Sequence, residues 1–274
     1  MSEPPVEGFS GPPGARSGPA VPRVLAERAR DLADGRLTPV VPRDAATVIL
    51  LRPAEAGEGE LGGGAGVEAF LLRRTAELEF APGACVFPGG SVDARDGDSG
   101  TGWAGPSPEE FGVLLDVPAD RARALVCAAI RETFEESGVL LAGSGPGDVV
   151  DVSGPDWEQE RLALLDRRES LSSLLERRGL GLRADLLRPW AHWITPELEP
   201  KRYDTRFFVA ALPPGQHTRH VGGEADATMW ITPAEAVAKF ERDELPMMPP
   251  TIATLRELAE YASAADVLAA ADSR

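Results

Sequence analysis

The stretch "AAIRETFEESGV", residues 128–139, gathers Glu132, Glu135 and Glu136 within five positions. Its surroundings predict a helix over residues 120–137. On an ideal helix of about 100° per residue, the three carboxylates share an arc of about 100° on the side opposite the apolar stripe. The sequence therefore predicts a helix that packs one side against a sheet and displays three carboxylates on the other.

Such a display is unfavourable by itself, because carboxylates three and four positions apart repel each other and the last turns of a helix disfavour negative charge. A divalent cation would reverse both effects. Clustered oxygen ligands suit Mg²⁺ or Mn²⁺, whereas zinc prefers His and Cys, and His192, His217 and His220 all lie far downstream. The spacing alone also fits a solvated acidic face, so both interpretations stay open at this point.

Composition excludes several classes of protein. The 274 residues carry a formal net charge of −16 and contain no block of basic residues, so we expect no binding to nucleic acid or to an anionic membrane. No Gly-Lys pair exists, which excludes a phosphate loop of the G-x-x-x-x-G-K-[ST] type. No apolar run is long enough to predict a membrane-spanning helix. Cys85 and Cys127 have no CxxC spacing, and the N-terminus lacks the residue order of a signal peptide. We therefore expect reduced thiols and a cytoplasmic location.

Strand and helix patterns alternate irregularly along the chain, which predicts an α/β fold with a mixed sheet and helices on both faces. We expect a disordered arm at residues 1–20, a helical extension at 21–43 and one domain at 44–274. Within the domain, the predicted strands are 46–52, 67–74, 84–87, around 190–195, 203–212 and 227–232, and the predicted helices are 120–137 with Gly138 as its stop, 156–178, 233–242 and 250–270. The pair Gly89-Gly90 is predicted to form a turn, and residues 54–66 are predicted to form a hairpin tip.

The two segments together resemble the Nudix box, G-x5-E-x7-R-E-U-x-E-E-x-G-U, in which U is a bulky apolar residue. Residues 131–139, "RETFEESGV", match its second half if Thr133 is accepted at U, and Gly90 matches its first glycine. Asp96 stands where the first Glu belongs; it is a weak match and we assign it no role. The distance from Asp96 to the arginine implies an insertion of about 27 residues inside the box. We expect the part at about 97–118 to form a lobe or flap near the site.

An insertion at this point is similar to that of the coenzyme A diphosphatase branch of the Nudix hydrolases. The segment "RRTAELEFAPGACVFPGG", residues 73–90, places Arg74, Gly83 and the final "FPGG" in the register of a motif of that branch. It departs from the motif at Glu79, where the branch has an arginine. The segment "WITPELEPKRYDTRFFVA", residues 193–210, is also similar to that branch.

The resemblance implies a Nudix α/β/α sandwich with a mixed central sheet, helical additions, and a site that hydrolyses diphosphate bonds with Mg²⁺ or Mn²⁺. It implies that Glu135 and Glu136 are metal ligands, that Glu132 is a metal ligand or the general base, and that Arg131 positions a neighbouring carboxylate. Further residues assigned on this basis are Glu224 as a catalytic or metal-binding residue, and Arg74, Gly89, Gly90 and Arg202 as substrate-binding residues. For the 3′-phosphate of coenzyme A, Arg73, Arg74, Arg202 and Arg206 lie in segments that could converge.

The implied partner is a small nucleoside diphosphate derivative, with coenzyme A or acyl-coenzyme A as the first choice. ADP-ribose, NADH and dinucleoside polyphosphates are alternatives that would tolerate Glu79 better. Two other classes stay open: an isomerase of the isopentenyl diphosphate isomerase type, and a non-catalytic ligand sensor on the same fold. The oligomeric state is left open, with a homodimer as one option.

Overall fold

The computed structural model describes residues 23–54, 66–75, 77, 81–219, 222 and 225–274. The predicted arm at 1–20, residues 55–65 of the predicted hairpin tip and three residues discussed above, Glu79, His220 and Glu224, lie outside the described residues. Among the helices of the described part, none has the length and apolar character needed to cross a membrane.

A mixed sheet forms the centre of the molecule. The strands of the described part are β1 (Arg43–Pro53), β2 (Val67–Arg74), β3 (Cys85–Val86), β4 (Gly89–Ser91), β5 (Gly102–Ala104), β6 (Ala142–Gly143), β7 (Gly181–Arg183), β8 (Arg188–Ile194), β9 (Tyr203–Ala211) and β10 (Ala225–Ile231). All of them except β5, β6 and β7 belong to the central sheet. The central order is β10-β2-β1-β9-β8, with β3 paired to β2 and β4 to β1. β1 and β9 run parallel, whereas β1 pairs antiparallel with β2 and β4. β1 is apolar on both faces, as expected of a strand covered on both sides.

Helices cover both faces of this sheet. They are α1 (Arg23–Ala33), α2 (Pro108–Leu115), α3 (Ala119–Ser137), α4 (Pro155–Leu165), α5 (Leu171–Arg178), α6 (Pro233–Glu241), α7 (Pro249–Leu258) and α8 (Ala264–Ala271), with short 3-10 helices at Ala94–Gly97 and Ala184–Leu186. One core cluster joins the sheet to α2–α5, and a second joins its other face to α6–α8. The predicted α/β/α sandwich with helical additions is therefore confirmed.

Gly89 and Gly90 do not form the turn that the sequence predicts. They belong to strand β4, which pairs with Thr47 and Ala46 of β1. A Cβ atom added at Gly89 would lie 2.6 Å from the Ala46 carbonyl oxygen and 2.5 Å from Thr47 Oγ1. Glycine is needed here because two backbones approach closely, and not because the chain reverses.

The inserted residues do not form a separate lobe or flap. β5 pairs with β7, which also pairs with β6, so the insertion contributes a strand to a second, three-stranded sheet. Phe111 of α2 is buried, and its ring meets that of Phe208 in β9 at 6.4 Å between centroids. Within the insertion, Ser107 and Glu110 form a capping box that begins α2.

Two predicted long helices are each divided in two. The stretch 156–178 breaks between α4 and α5, where Arg167 has a positive φ of 57°. The stretch 250–270 breaks between α7 and α8, where the Ser263 hydroxyl accepts the Asp266 N–H and begins a new helix. The helical spacing of charged residues did not predict where either helix ends, because each end depends on local capping contacts.

Candidate active site

Helix α3 carries the predicted carboxylates across one face of the sheet. Val126, Ile130 and Phe134 are fully buried, which fixes the rotation of the helix about its axis. Gly138 ends it with a φ of 75° and donates its N–H to the Phe134 carbonyl. The predicted helix and its stop are confirmed, although Glu135 is also buried. The carboxylates thus face neighbouring segments of the protein and not bulk solvent.

Arg131 is the hub of this arrangement. Its guanidinium donates to both carboxylate oxygens of Asp96, at 3.0 and 2.9 Å, and to the Ser91 carbonyl at 3.0 Å. The remaining nitrogen, Nη1, donates to Glu132 at 2.8 Å and to Glu135 at 3.3 Å. All five N–H donors are therefore used within the protein. Such an arginine positions carboxylates and has no donor left for a substrate.

The glycines of β4 lie directly against the carboxylates of α3. The Gly89 N–H donates to Glu136 Oε2 at 2.8 Å. A Cβ atom added at Gly90 would lie 2.5 Å from Glu132 Oε1 and 2.6 Å from its Cδ. The two halves of the motif, more than forty residues apart in sequence, thus form one site, and glycine at position 90 leaves room for the Glu132 carboxylate.

The carboxylates around Arg131, those of Asp96, Glu132 and Glu135, carry more negative charge than this one arginine neutralises. Burial raises the pKa of Glu132 to about 7, although the charge of Arg131 opposes this. Burial also raises the pKa of Glu135, again against Arg131. Burial alone would lower the pKa of Arg131, but its hydrogen bonds to Asp96 and the nearby carboxylates raise it. A bound cation would relieve this excess of negative charge.

The donor set therefore fits a hard divalent cation, since it consists of clustered carboxylate oxygens without sulfur or imidazole. Glu132, Glu135 and Glu136 are the residues that would hold it. In the part of the chain that the structure describes, no three His, Cys, Asp or Glu side chains converge on a common point suited to a metal ion. The reason is visible in the contacts: Glu132 and Glu135 turn towards Arg131, while Glu136 turns towards Gly89.

Asp96 corrects the sequence analysis, which assigned it no role. Its carboxylate is 2% exposed and forms the bidentate pair with Arg131. It lies in the 3-10 helix Ala94–Gly97 and caps it by accepting the Asp93 N–H. The inserted residues lie between this 3-10 helix and α3. Asp96 therefore stays beside Arg131 in space despite their separation in sequence.

The four predicted arginines do not all converge. Arg206 is buried, donates to Asp204 and to the Leu115 carbonyl, and is therefore unsuited to a phosphate. Arg73 is exposed and pairs with Asp226 of β10.

Arg74 and Arg202 lie at the ends of different strands. Arg74 ends β2, where its main chain bonds to Gly83 and Ala84. Arg202 precedes β9 and donates to the main-chain carbonyls of Thr195 and Val40. Their substrate-binding roles stay predictions, as does that of Glu224.

Two residues that the sequence analysis missed support the end of α3. The buried Arg161 of α4 donates to the Glu135 carbonyl at 2.8 Å. The buried Gln216 accepts the Leu140 N–H and donates to the carbonyls of Leu140 and Val150, each at 2.9 Å. Nothing in the local sequence around them signals these contacts, because their partners lie 26 or more positions away. Cys127 and Trp190 are buried in the core.

Comparisons with known proteins agree with this geometry. A model of the NUDT19 Nudix domain family matches residues 107–258, more than half of the chain. The chain is 30% identical to "Acyl-coenzyme A diphosphatase NUDT19" of Gallus gallus over 82% of its own length and 70% of that protein. It is 29% identical to the Homo sapiens protein of the same name, over 74% of this chain and 63% of that one. It thus spans less than two thirds of the human relative.

Among solved structures, a NUDIX hydrolase from Alicyclobacillus acidocaldarius superimposes with a TM-score of 0.66 at 30% identity, over 84% of this chain and 96% of that one. The TM-score and the identity show that the two chains share this fold. The chain belongs to the Nudix hydrolases, in the family of the NUDT19 Nudix domain. The resemblance inferred from the sequence, and with it the prediction that the chain is a hydrolase, is confirmed.

Proposed function

We propose that this protein hydrolyses the diphosphate bond of coenzyme A or an acyl-coenzyme A, to give 3′,5′-ADP and a 4′-phosphopantetheine product. The observation that carries the reaction class is the placement of the Glu132 and Glu136 carboxylates against the glycines of β4, with Glu135 held beside them by Arg131. The choice of substrate draws on relatives named acyl-coenzyme A diphosphatase. It also draws on the in-register Arg74, Gly83 and "FPGG" of the sequence.

A divalent cation, Mg²⁺ or Mn²⁺, would be held by Glu132, Glu135 and Glu136 and would supply charge neutralisation on the diphosphate and an activated water. The protein's own residues set the conditions for this. Arg131 fixes the orientation of Glu132 and Glu135 through its Nη1 atom. Glu132 is proposed as a metal ligand or as the general base, as the family resemblance implies.

The substrate-binding surface includes the main chain at Gly89 and Gly90, which lacks side chains beside the carboxylates. Arg74 and Arg202 are proposed to reach the nucleotide part of the substrate, and Glu224 is proposed as a further catalytic or metal-binding residue. A cytoplasmic location and a homodimer stay predictions from the sequence.

ADP-ribose, NADH or a dinucleoside polyphosphate is the second candidate class of substrate, because Glu79 stands where the coenzyme A branch has an arginine. A non-catalytic sensor is disfavoured, since all three box glutamates are present and lie at one site. An isomerase is disfavoured because both cysteines are buried, and burial raises their pKa values, that of Cys85 to about 11.

The test is a substrate panel measured with Mg²⁺ and with Mn²⁺: coenzyme A, an acyl-coenzyme A, 3′-dephospho-coenzyme A, NADH, ADP-ribose and a dinucleoside polyphosphate. We expect the highest kcat/KM on coenzyme A or its acyl form, with 3′,5′-ADP as a product. Faster turnover of ADP-ribose, or equal rates on coenzyme A and its dephospho form, would assign a different substrate to the same reaction. No hydrolysis of any compound with either metal would contradict the proposed reaction.

A further inference from the structure

Helix α4, which lies outside the recognised motif, binds the C-terminal end of α3. The side chain of its Arg161 is 1% exposed. Arg161 Nη1 donates to the Glu135 carbonyl at 2.8 Å, while Nε and Nη2 donate to the two carboxylate oxygens of Glu158 at 3.0 and 2.5 Å. The last four carbonyls of a helix have no partner within it, and the Glu135 carbonyl is one of them. Arg161 therefore supplies a donor that α3 itself lacks.

Glu135 is consequently held at two independent points. Arg131 Nη1 donates to its carboxylate at 3.3 Å, and Arg161 holds its carbonyl. For Glu132 and Glu135 to act as metal ligands, their carboxylates have to turn away from Arg131, which gives up the first contact. The second contact does not involve the carboxylate, so it persists while the side chain turns. Arg161 thus fixes the main chain from which the carboxylates of the last turn extend.

Glu158 also connects Arg161 to a second arginine at this end of α3. The main-chain N–H of Arg219 donates to the Ser137 carbonyl at 2.9 Å, and Arg219 Nη1 lies 3.9 Å from Glu158 Oε2. A Cβ atom added at Gly138 would lie 2.8 Å from Arg219 Nε, so the guanidinium covers the helix stop. Two segments distant in sequence, α4 and the chain after β9, therefore hold the last turn of α3 in place.

Burial of an arginine does not by itself indicate a functional role, because Arg183 of β7 has the same set of contacts elsewhere. Its side chain is 5% exposed, pairs with the two carboxylate oxygens of Asp185 at 2.7 Å each, and donates from Nη1 to the Asp148 carbonyl. Neither partner belongs to α3. Arg161 and Arg183 differ mainly in the segment that they hold. A comparison of the two therefore separates a loss of stability from a loss of geometry at the carboxylates.

We propose that Arg161 is a positioning residue for metal binding, which holds the last turn of α3 so that Glu135 and Glu136 can act together as ligands. This inference rests on the proposed function, because it concerns the same carboxylates. The direction of the effect is diagnostic. The positive charge of Arg161 by itself repels a cation, so its removal would strengthen metal binding if charge alone mattered. Loss of the contact to Glu135 weakens metal binding, because the ligands then lose their fixed backbone.

The test is Mn²⁺ binding, followed by the loss of the electron paramagnetic resonance signal of the free ion, in the wild type, Arg161→Met and the matched control Arg183→Met. Both variants should have a lower free energy of unfolding, because each leaves a carboxylate and a main-chain carbonyl without their arginine. We expect about tenfold weaker Mn²⁺ binding by Arg161→Met and the wild-type affinity in Arg183→Met. Equal losses in the two variants would show that affinity follows stability, and unchanged or stronger binding by Arg161→Met would show that its contact is not needed. Either result overturns the proposal.

A second variant decides the question if Arg161→Met does not fold. Arg161→Gln keeps a polar group beside Glu158, but its side chain is too short to replace the bond to the Glu135 carbonyl. We expect a loss of Mn²⁺ affinity of about tenfold in this variant too. The wild-type affinity in Arg161→Gln would overturn the proposal.

The titration also separates this inference from the choice of substrate, because it requires no hydrolysis. If the wild type binds Mn²⁺ but does not hydrolyse coenzyme A, a loss of affinity confined to Arg161→Met still supports the role of Arg161, and only the proposed substrate is wrong. Hydrolysis of coenzyme A together with equal Mn²⁺ affinities of the wild type and Arg161→Met would refute the role of Arg161 alone. A wild type that binds no Mn²⁺ would refute both the metal site and this role.

Discussion

Asp96 and Arg131, 35 positions apart in sequence, form a buried bidentate ion pair, with Nε–Oδ1 at 3.0 Å and Nη2–Oδ2 at 2.9 Å. Asp96→Ala would leave the Arg131 guanidinium buried without its main partner, which costs about 3–5 kcal/mol. We expect that loss in the free energy of urea unfolding, together with a lower kcat because Glu132 and Glu135 lose their fixed neighbour. Asp98→Ala, at an exposed position two residues later, is the control. Unchanged stability and kcat in Asp96→Ala would refute the hub role of Arg131.

Gly90→Ala should damage catalysis more than folding. The added Cβ would overlap the Glu132 carboxylate, whose end can move, whereas the β4 backbone can keep its pairing with Ala46. A displaced catalytic group costs about a hundredfold in rate, so we expect a loss of that order in kcat with a nearly unchanged Tm. Gly97→Ala, where no atom lies within 4 Å of the added Cβ, should retain the wild-type rate. Full activity in Gly90→Ala would mean that the position of Glu132 is not critical.

Glu136→Gln keeps the side-chain shape and can still accept the Gly89 N–H, but it removes one charge. We expect hydrolysis to be abolished, and the stability of the metal-free protein to hold or rise because like-charge repulsion is relieved. The rate with Mg²⁺ and the unfolding free energy in EDTA measure the two effects. Glu109→Gln, exposed on α2, is the control. A variant that retained more than about a tenth of the wild-type rate would exclude Glu136 as an essential ligand.

The pKa of Glu132 predicts how the stability of the metal-free protein depends on pH. Burial raises this pKa from 4.5 to about 7, so the folded protein binds a proton more tightly than the unfolded chain does. The contribution of Glu132 to stability is therefore full below pH 4.5 and is lost as pH rises through 7. Urea unfolding in EDTA at several pH values should show this trend in the difference between the wild type and Glu132→Gln. A difference that is constant between pH 4.5 and 7.5 would contradict the shifted pKa.

Gln216→Ala should destabilise the protein, because it leaves the buried N–H and carbonyl of Leu140 and the carbonyl of Val150 without a partner. Each unsatisfied buried polar group costs about 1–3 kcal/mol. Gln159→Ala removes an exposed side chain of the same type and is the matched control. Equal unfolding free energies for the two variants would show that the Gln216 amide contributes nothing to the end of α3.

The sequence by itself determined helix α3 with its three glutamates, the glycine stop of that helix and the sandwich class. These features depend on local spacing: apolar residues at helical period, Gly138 in the left-handed region, and short apolar runs that read as strands. The grouping of Glu132, Glu135 and Glu136 near Gly90 was also predictable, because these residues match the sequence motif of a known family.

The tertiary structure alone decided what lies around that helix. Asp96 matched the motif weakly, and only folding of the insertion into a second sheet brings its carboxylate to Arg131. The strand conformation of Gly89 and Gly90 depends on the backbone of β1, which no local pattern encodes. The roles of Arg161 and Gln216 depend on partners 26 or more positions away, so their contacts exist only once the chain has closed those loops.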